Sequence, residues 1–159
     1  VCSSDLVIAA GGIGDGRGIA AAFCLGAQGV QVGTRFVLAK ECRVHQNYKD
    51  KIKKASDTDT AVTGRKTGHP VRVLKNRLVT QFKDLEKNNA AVEEMEELGR
   101  GKLYKAAVEG DVDYGSVMSG QIAGLVKKEQ TCMEIISEMF EEAEKVMKNL
   151  IVSQGGRNE

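Results

Sequence analysis

The stretch AAGGIGDGRGIAAAFCLGAQGVQVGTRF, residues 9–36, places eight glycines among short apolar runs. Residues 6–10 (LVIAA) are continuously apolar, which favours a strand buried on both faces of a parallel sheet. Residues 17–27 have the apolar spacing of a helix that Gly26 ends, and residues 30–33 (VQVG) have the composition of a second strand. Strand, glycine loop, helix and strand in this order predict a βαβ unit of an α/β protein.

The glycine loops predict a phosphate site. Backbone N–H groups can converge on a phosphate where no side chain intervenes, and a helix N-terminus adds a favourable dipole. One such loop holds Gly11 and Gly12 after the first strand, and a second holds Gly33 and Thr34 after the next strand. In eight-stranded barrels the loops after strands seven and eight bind phosphate in this way. Glycines that only form tight turns are the alternative, and two loops after consecutive strands favour phosphate.

Two other glycine motifs fail on spacing. The dinucleotide fingerprint needs a glycine at its sixth position, and counting from Gly12 or Gly14 reaches Arg17 or Ile19. The P-loop needs Lys and Ser or Thr after its second glycine, whereas Arg17 and Gly18 follow Gly16.

Composition excludes several classes of protein. The chain has 159 residues, of which 42% are hydrophobic and 28% charged, as in globular proteins. A net charge of +1 gives no electrostatic support for binding nucleic acid or an anionic membrane, and no apolar run approaches a membrane span. The four cysteines lack CxxC spacing, which predicts reduced thiols in a cytoplasmic protein and no zinc site. Cys24 and Cys132 are expected to be small buried hydrophobes.

The remaining chain is predicted to be mostly helical. Helices are expected at residues 48–55, 71–85, 90–98, 102–109 and 131–149, with an edge strand within 57–64 and a tightly packed, small-residue segment at 117–126. The resulting domain organisation has four parts. They are a non-native or disordered start (1–6), the last two βα units of a (β/α)8 barrel (7–44), an appended helical region packed on that barrel (45–150) and a disordered tail (151–159).

Three segments resemble a known family. Residues 7–36, TGHPVRVLKN (67–76) and GDVDYGSVMSGQIAGLV (110–126) are similar to the flavin-dependent barrels of the nitronate monooxygenase and enoyl-acyl-carrier-protein reductase II group. The resemblance extends from residue 7 to about residue 150, and the two later segments favour the reductase branch. It implies that the chain is the C-terminal part of such a barrel.

The resemblance also implies an FMN site. Gly11 and Gly12 match the first phosphate loop of the family, and the second loop is matched by Gln31, Val32, Gly33 and Thr34. Backbone N–H groups of Gly12, Gly33 and Thr34 would then face the phosphate. Gln31 would lie near the phosphate or ribityl chain, or would be a polar residue of the barrel interior. Gln121 is a weaker candidate donor to the flavin.

No catalytic residue and no metal ligand is expected in this chain. The catalytic histidine of the family lies upstream of the first strand, and neither His45 nor His69 matches it. His45 is expected on the solvated surface. His69, beside Pro70, is expected at the start of the helix predicted for residues 71–85, with a place at the border of the substrate mouth as the alternative.

The implied reaction is the reduction of a trans-2-enoyl thioester on acyl carrier protein, with FMN as cofactor and NAD(P)H as reductant. Basic residues near the mouth would suit the acidic carrier protein, and the candidates are Arg65, Lys66, Arg72, Lys75 and Arg77. Nitronate monooxygenase on the same scaffold is the alternative enzyme, and inosine-monophosphate dehydrogenase is a more distant relative of the loop pair. A non-catalytic partial barrel, prone to association, is the alternative from another class. A homodimer is a candidate assembly, and the isolated chain is expected to lack turnover.

Overall fold

Residues 5–155 are described by the computed structural model. Within them the elements are β1 (Ile8–Ala10), α1 (Gly16–Cys24), β2 (Gly29–Gln31), α2 (Thr34–Val37), α3 (Gln46–Lys54), β3 (Thr60–Thr63), β4 (Val71–Leu74), α4 (Arg77–Lys87), α5 (Val92–Gly99), α6 (Lys102–Ala107), a 3-10 helix (Gln121–Leu125) and α7 (Cys132–Gly155).

The predicted βαβ unit is confirmed. β1 and β2 pair in parallel, with Ile8 opposite Gly29 and Ala10 opposite Gln31. α1 crosses between them and ends where Gly26 takes a φ of +94°, a left-handed conformation that glycine adopts without strain. Because the strands are parallel neighbours, the loops that follow them emerge at the same edge of the sheet.

Helix α7 packs along α1. Ile135, Met139 and Ala143 of α7 are buried in one cluster with Ile19 and Ala20 of α1. The helices approach closely at Gly16, where an added methyl group would lie 2.4 Å from the carbonyl oxygen of Met139. β1, β2, α1 and α7 form one α/β layer. The chain between β2 and α7 leaves this layer and returns to it, and we call this part the excursion. The last helix of the region predicted at residues 45–150 thus packs on α1 of the βαβ unit.

The excursion is not mostly helical, and the helix predicted at residues 71–85 is confirmed from residue 77 but is wrong for residues 71–74. Val71–Leu74 is strand β4, which pairs antiparallel with β3, and β3 confirms the edge strand predicted within residues 57–64. Asn76 caps the helix that follows, accepting the N–H of Val79 at 3.1 Å, and α4 starts at Arg77. Apolar residues recur at intervals of three and four residues on both sides of this strand–helix junction, which is also the spacing of a single helix.

The excursion has its own core, and we call it the small lobe (residues 38–130). Leu38, Tyr48, Ile52, Leu74 and Val117 are buried together at its centre. Residues 117–119 continue the hairpin as a third strand-like segment. The N–H of Leu74 donates to the Val117 carbonyl at 2.9 Å, and the N–H of Ser119 donates to the Arg72 carbonyl at 3.1 Å.

Smaller predictions are corrected at the ends of α1 and α7. Both Cys24 and Cys132 were expected to be buried. Cys132 is half-buried, but Cys24 is exposed, so the prediction is wrong for Cys24. α7 continues to Gly155, which makes the first part of the predicted tail helical, and residues 156–159 lie outside the described residues. Of the predicted disordered start, residues 1–4 also lie outside them. Among the helices of residues 5–155, none has the length and apolar character to cross a membrane.

Candidate functional site

The two glycine loops lie side by side. Gly11 and Gly12 follow β1 with φ values of +91° and +72°, and Gly33 and Thr34 follow its parallel neighbour β2. A methyl group added at Gly11, Gly12 or Gly33 would meet no atom within 4 Å, so bare backbone faces open space. We call this space, bordered by Gly11, Gly12, Gly33 and Thr34, the glycine hollow. Its walls are backbone that a negatively charged group can approach without side chains in the way.

A third segment, residues 119–122, closes one side of the glycine hollow. The N–H of Gly120 donates to Thr34 Oγ1 at 2.9 Å, which leaves the hydroxyl proton of Thr34 available to donate elsewhere. The side chain of Ile122 reaches the first loop, where a methyl group added at Gly14 would lie 2.5 Å from Ile122 Cγ1. The small lobe therefore contacts both loops directly.

An open cleft of about 850 Å³ adjoins the hollow at Gly12. Gln121, Ile122 and Leu125 of the 3-10 helix line it, together with the charged side chains of Lys54, Asp57 and Lys127. Lys127 is held in place because its ammonium donates to the backbone carbonyls of Lys53, at 3.1 Å, and Ala55. This volume lies in the range of cofactor-binding clefts.

The N-terminus of α1 is already occupied by carboxylates. Asp15 Oδ1 accepts the N–H of Gly18 at 3.1 Å, and Glu142 Oε2 of α7 accepts the N–H of Gly16 at 2.7 Å. Burial raises the pKa of Asp15, but hydrogen bonds from the Arg17 side chain and the Gly18 N–H lower it more, so it lies below its usual value. The N-terminal dipole of α1, which the sequence offers as an anion site, therefore already faces these two carboxylates. An added anion would bind the backbone of the glycine loops instead.

Gln31 and Val32 differ in what their side chains can do. Gln31 is exposed at the end of β2, next to the hollow. Val32 packs into the cluster between α1 and α7. It can contribute to the hollow only through its backbone.

Arg35 is a structural residue that the sequence analysis did not single out. Its side chain is buried, with 6% exposure. Its guanidinium donates to the Lys128 carbonyl at 3.0 Å and to Gln130 Oε1. Burial lowers the pKa of Arg35, and the negative charge of Glu138 opposes this. An arginine directly after a threonine loop resembles a phosphate ligand in sequence, and only the long-range contact reveals its role.

Neither histidine lines the cleft. His45 is exposed, as expected, and caps α3 by accepting the Asn47 N–H at its Nδ1 atom, 3.1 Å away. His69 is exposed in the turn before β4, so its expected place at a helix start is wrong. The described residues contain no group of three or more His, Cys, Asp or Glu side chains that could hold a metal ion.

A family model described as nitronate monooxygenase matches residues 6–142. The chain belongs to the nitronate monooxygenase family. Members are flavin-dependent oxidoreductases with an α/β fold related to the TIM barrel.

Among its relatives, a probable nitronate monooxygenase of Staphylococcus saprophyticus is 33% identical over 89% of this chain and 39% of its own length. A probable nitronate monooxygenase of Bacillus subtilis is 31% identical over 88% of this chain and 40% of its own. FabK of Thermotoga maritima superposes with a TM-score of 0.88 at 47% identity, covering 93% of this chain and 47% of FabK. The chain thus spans less than half the length of these relatives.

Proposed function

We propose that this chain supplies the FMN phosphate site of an enoyl-acyl-carrier-protein reductase that uses NAD(P)H. The observation that carries the proposal is the glycine hollow, made by two adjacent loops and closed by the hydrogen bond from Gly120 to Thr34. The identity to FabK, an enoyl-acyl-carrier-protein reductase II, is 47%, against 33% to the first nitronate monooxygenase relative, which favours the reductase.

The residues present fit a phosphate monoester. Backbone at Gly11, Gly12 and Gly33 would surround the phosphate, and the free proton of the Thr34 hydroxyl would be donated to one of its oxygens. When bound, FMN supplies the hydride-transfer chemistry, and the protein supplies position and electrostatics. Gln31 and Gln121 lie at the margins of the hollow and cleft, where their amides would hydrogen-bond the polar parts of the cofactor.

The carrier protein would dock on lysines beside the cleft. Of the five basic residues singled out from the sequence, Arg72 donates to Thr60 Oγ1 and Arg77 donates to the Tyr114 hydroxyl. Lys75 shares a shallow depression with Lys51, Lys54 and Asp59, three lysines to one carboxylate, and Lys54 also lines the cleft. We propose this face for the acidic carrier protein, because complementary charge accelerates encounter and fixes orientation.

Anaerobic spectroscopy on the whole protein tests the proposal. The purified protein should show the absorbance of FMN, bleach on addition of NADH or NADPH, and recover its colour with crotonyl thioester. Recovery only with oxygen, together with consumption of a nitronate that needs no NAD(P)H, would instead assign the second candidate function, nitronate monooxygenase, which the family model favours. A colourless protein that binds no added FMN would refute both.

A further inference from the structure

A depression rich in lysine adjoins the cleft at the end of α3. Its volume is about 240 Å³. The residues that line it are Lys51, Lys54, Ala55, Asp59, Leu74 and Lys75, and we call it the lysine depression. Lys54 and Ala55 also line the cleft, so the two spaces meet there, and the cleft continues from this point to Gly12 of the glycine hollow.

The three lysines of the depression differ from their neighbours because their ammonium groups have no partner. Lys49 donates to a backbone carbonyl at 2.7 Å, and Lys53 forms an ion pair of 2.8 Å with a carboxylate of its own helix. Lys127 donates to the backbone at the end of α3. Within residues 5–155, by contrast, no hydrogen bond or ion pair holds the side chains of the three lysines in the depression. Their charges are therefore available to an anion from outside the chain.

The one carboxylate of the depression is already engaged by the backbone. Asp59 Oδ2 accepts the N–H of Ser56 at 2.8 Å. This hydrogen bond is the main reason why the pKa of Asp59 lies below its usual value, and the charges of Lys75 and Lys51 lower it further. At neutral pH the depression thus has three ammonium groups against one carboxylate, an excess of two positive charges.

A phosphate monoester is the anion that matches this excess. Its second pKa is about 6, so it carries close to two negative charges at pH 7, whereas a carboxylate or a phosphodiester carries one. Lysine binds phosphate as a point charge. Among the reactants of the proposed reductase, NADPH has such a group on the 2′ position of its adenosine ribose, and NADH has a hydroxyl group there.

We propose that the lysine depression binds the 2′-phosphate of NADPH and thereby makes NADPH the preferred reductant over NADH. The proposal rests on the enoyl reductase function proposed above. A dinucleotide that lies along the cleft would have its 2′-phosphate beside Lys54 and its other end on the side of the glycine hollow. The reductant and the carrier protein would occupy this face in turn, because each exchanges the hydride with the flavin and not with the other.

Asp59 does not have the position of a carboxylate that selects NADH. In dinucleotide-binding folds an acidic side chain that accepts the ribose 2′-hydroxyl favours NADH. The Asp59 carboxylate instead holds the turn at Ser56, and the charges of two lysines act on it. The balance of charge around the ribose therefore favours a phosphate over a hydroxyl group.

The test compares the two nucleotides in the whole, FMN-loaded protein. Anaerobic stopped-flow bleaching of the flavin, without any thioester, gives the second-order rate constant for NADPH and for NADH. The wild type should prefer NADPH at least tenfold. Lys75→Gln should lower this preference about three- to fivefold by slowing NADPH alone, and Lys75→Glu should abolish it. Lys83→Gln is the matched control, because Lys83 is an exposed lysine that lines neither the cleft nor the depression.

A variant that gains preference and a binding measurement protect the test against misfolding. Asp59→Asn removes the negative charge and keeps an oxygen for the Ser56 N–H, so it should raise the preference for NADPH, a gain that a damaged protein cannot show. In calorimetry, adenosine 2′,5′-bisphosphate should bind at least tenfold more tightly than AMP to the wild type and the control, and equally to Lys75→Glu.

Two outcomes separate this inference from the function on which it rests. Equal reduction of the flavin by NADH and NADPH in the wild type, or an unchanged ratio in Lys75→Glu, would overturn the inference alone. A flavin that neither nucleotide reduces would overturn the proposed function and the inference with it.

Discussion

Replacing Thr34 by valine tests the glycine hollow at its most specific contact. Valine keeps the shape of threonine but removes the oxygen that accepts the Gly120 N–H at 2.9 Å. An N–H group left without a partner in a half-buried place costs about 1–3 kcal/mol, so the free energy of unfolding of the apoprotein should fall by roughly the lower value. The phosphate also loses a hydroxyl donor, which is worth about 1.5–3 kcal/mol when the acceptor is charged.

Two measurements separate these effects. Urea unfolding of the apoprotein reports the loss of the Gly120 contact, and quenching of FMN fluorescence reports the cofactor Kd, which should rise about 10- to 100-fold. Thr34→Ser keeps the hydroxyl and is the matched control, with both quantities close to those of the wild type. If Thr34→Val bound FMN as tightly as Thr34→Ser, the phosphate would not lie in the glycine hollow.

Three further substitutions probe the backbone and the packing around the hollow. Gly12→Ala has open space for its methyl group but a φ of +72°, so we expect about 1–2 kcal/mol of destabilisation in urea from backbone strain and weaker FMN binding in fluorescence titration. Gly16→Ala would force α1 away from α7, so its free energy of unfolding in urea should fall more than that of Gly12→Ala. Equal stability of the two variants would contradict the close approach of the helices. Asp15 has a pKa below that of the unfolded chain, so its stabilisation is complete above about pH 4 and is lost as the pH falls through the folded value. Asp15→Asn should therefore flatten the fall of stability on acidification, measured by urea unfolding at successive pH values, and an unchanged slope would exclude this carboxylate as a source.

The sequence predicts the βαβ unit because its signals are local. A continuous apolar run, glycines at the turn and Gly26 after the helix act within a few residues of each other. The helix prediction fails at residues 71–74 because their apolar spacing fits a helix equally well, and the strand there depends on pairing with β3, which lies outside the predicted segment. The β-branched Val71 and Val73 and the capping Asn76 were the available signals for a strand followed by a helix.

Burial of β1 was predicted on both faces and is found on neither in full. Val7, just before β1, and Ile8 are 48% and 55% exposed, and β2 is the one described strand that pairs with β1. On the neighbouring layer, Ile136 and Phe140 of α7 are 45% and 50% exposed beside buried Met139. A continuous apolar run indicates that a strand suits a buried position, but it does not indicate which part of a protein covers the strand.

The position of the small lobe depends on its neck, the two chain segments near Lys40 and Gln130 that join it to the α/β layer. Local sequence gives no signal that these two segments meet. The lobe leaves the α/β layer after α2 and returns before α7, and the two ends are joined where Lys40 N–H donates to the Gln130 carbonyl at 2.9 Å. Arg35 adds its contacts to Lys128 and Gln130 at the same point. With both ends fixed, Gly120 can be held against Thr34 although 86 residues separate them. If the two ends of the lobe were not joined, the lobe would lose much more conformational freedom on contacting the glycine hollow. The closed neck thus explains how a long excursion can bring Gly120 back to the glycine loops, and why Arg35 is buried there rather than exposed to an anion.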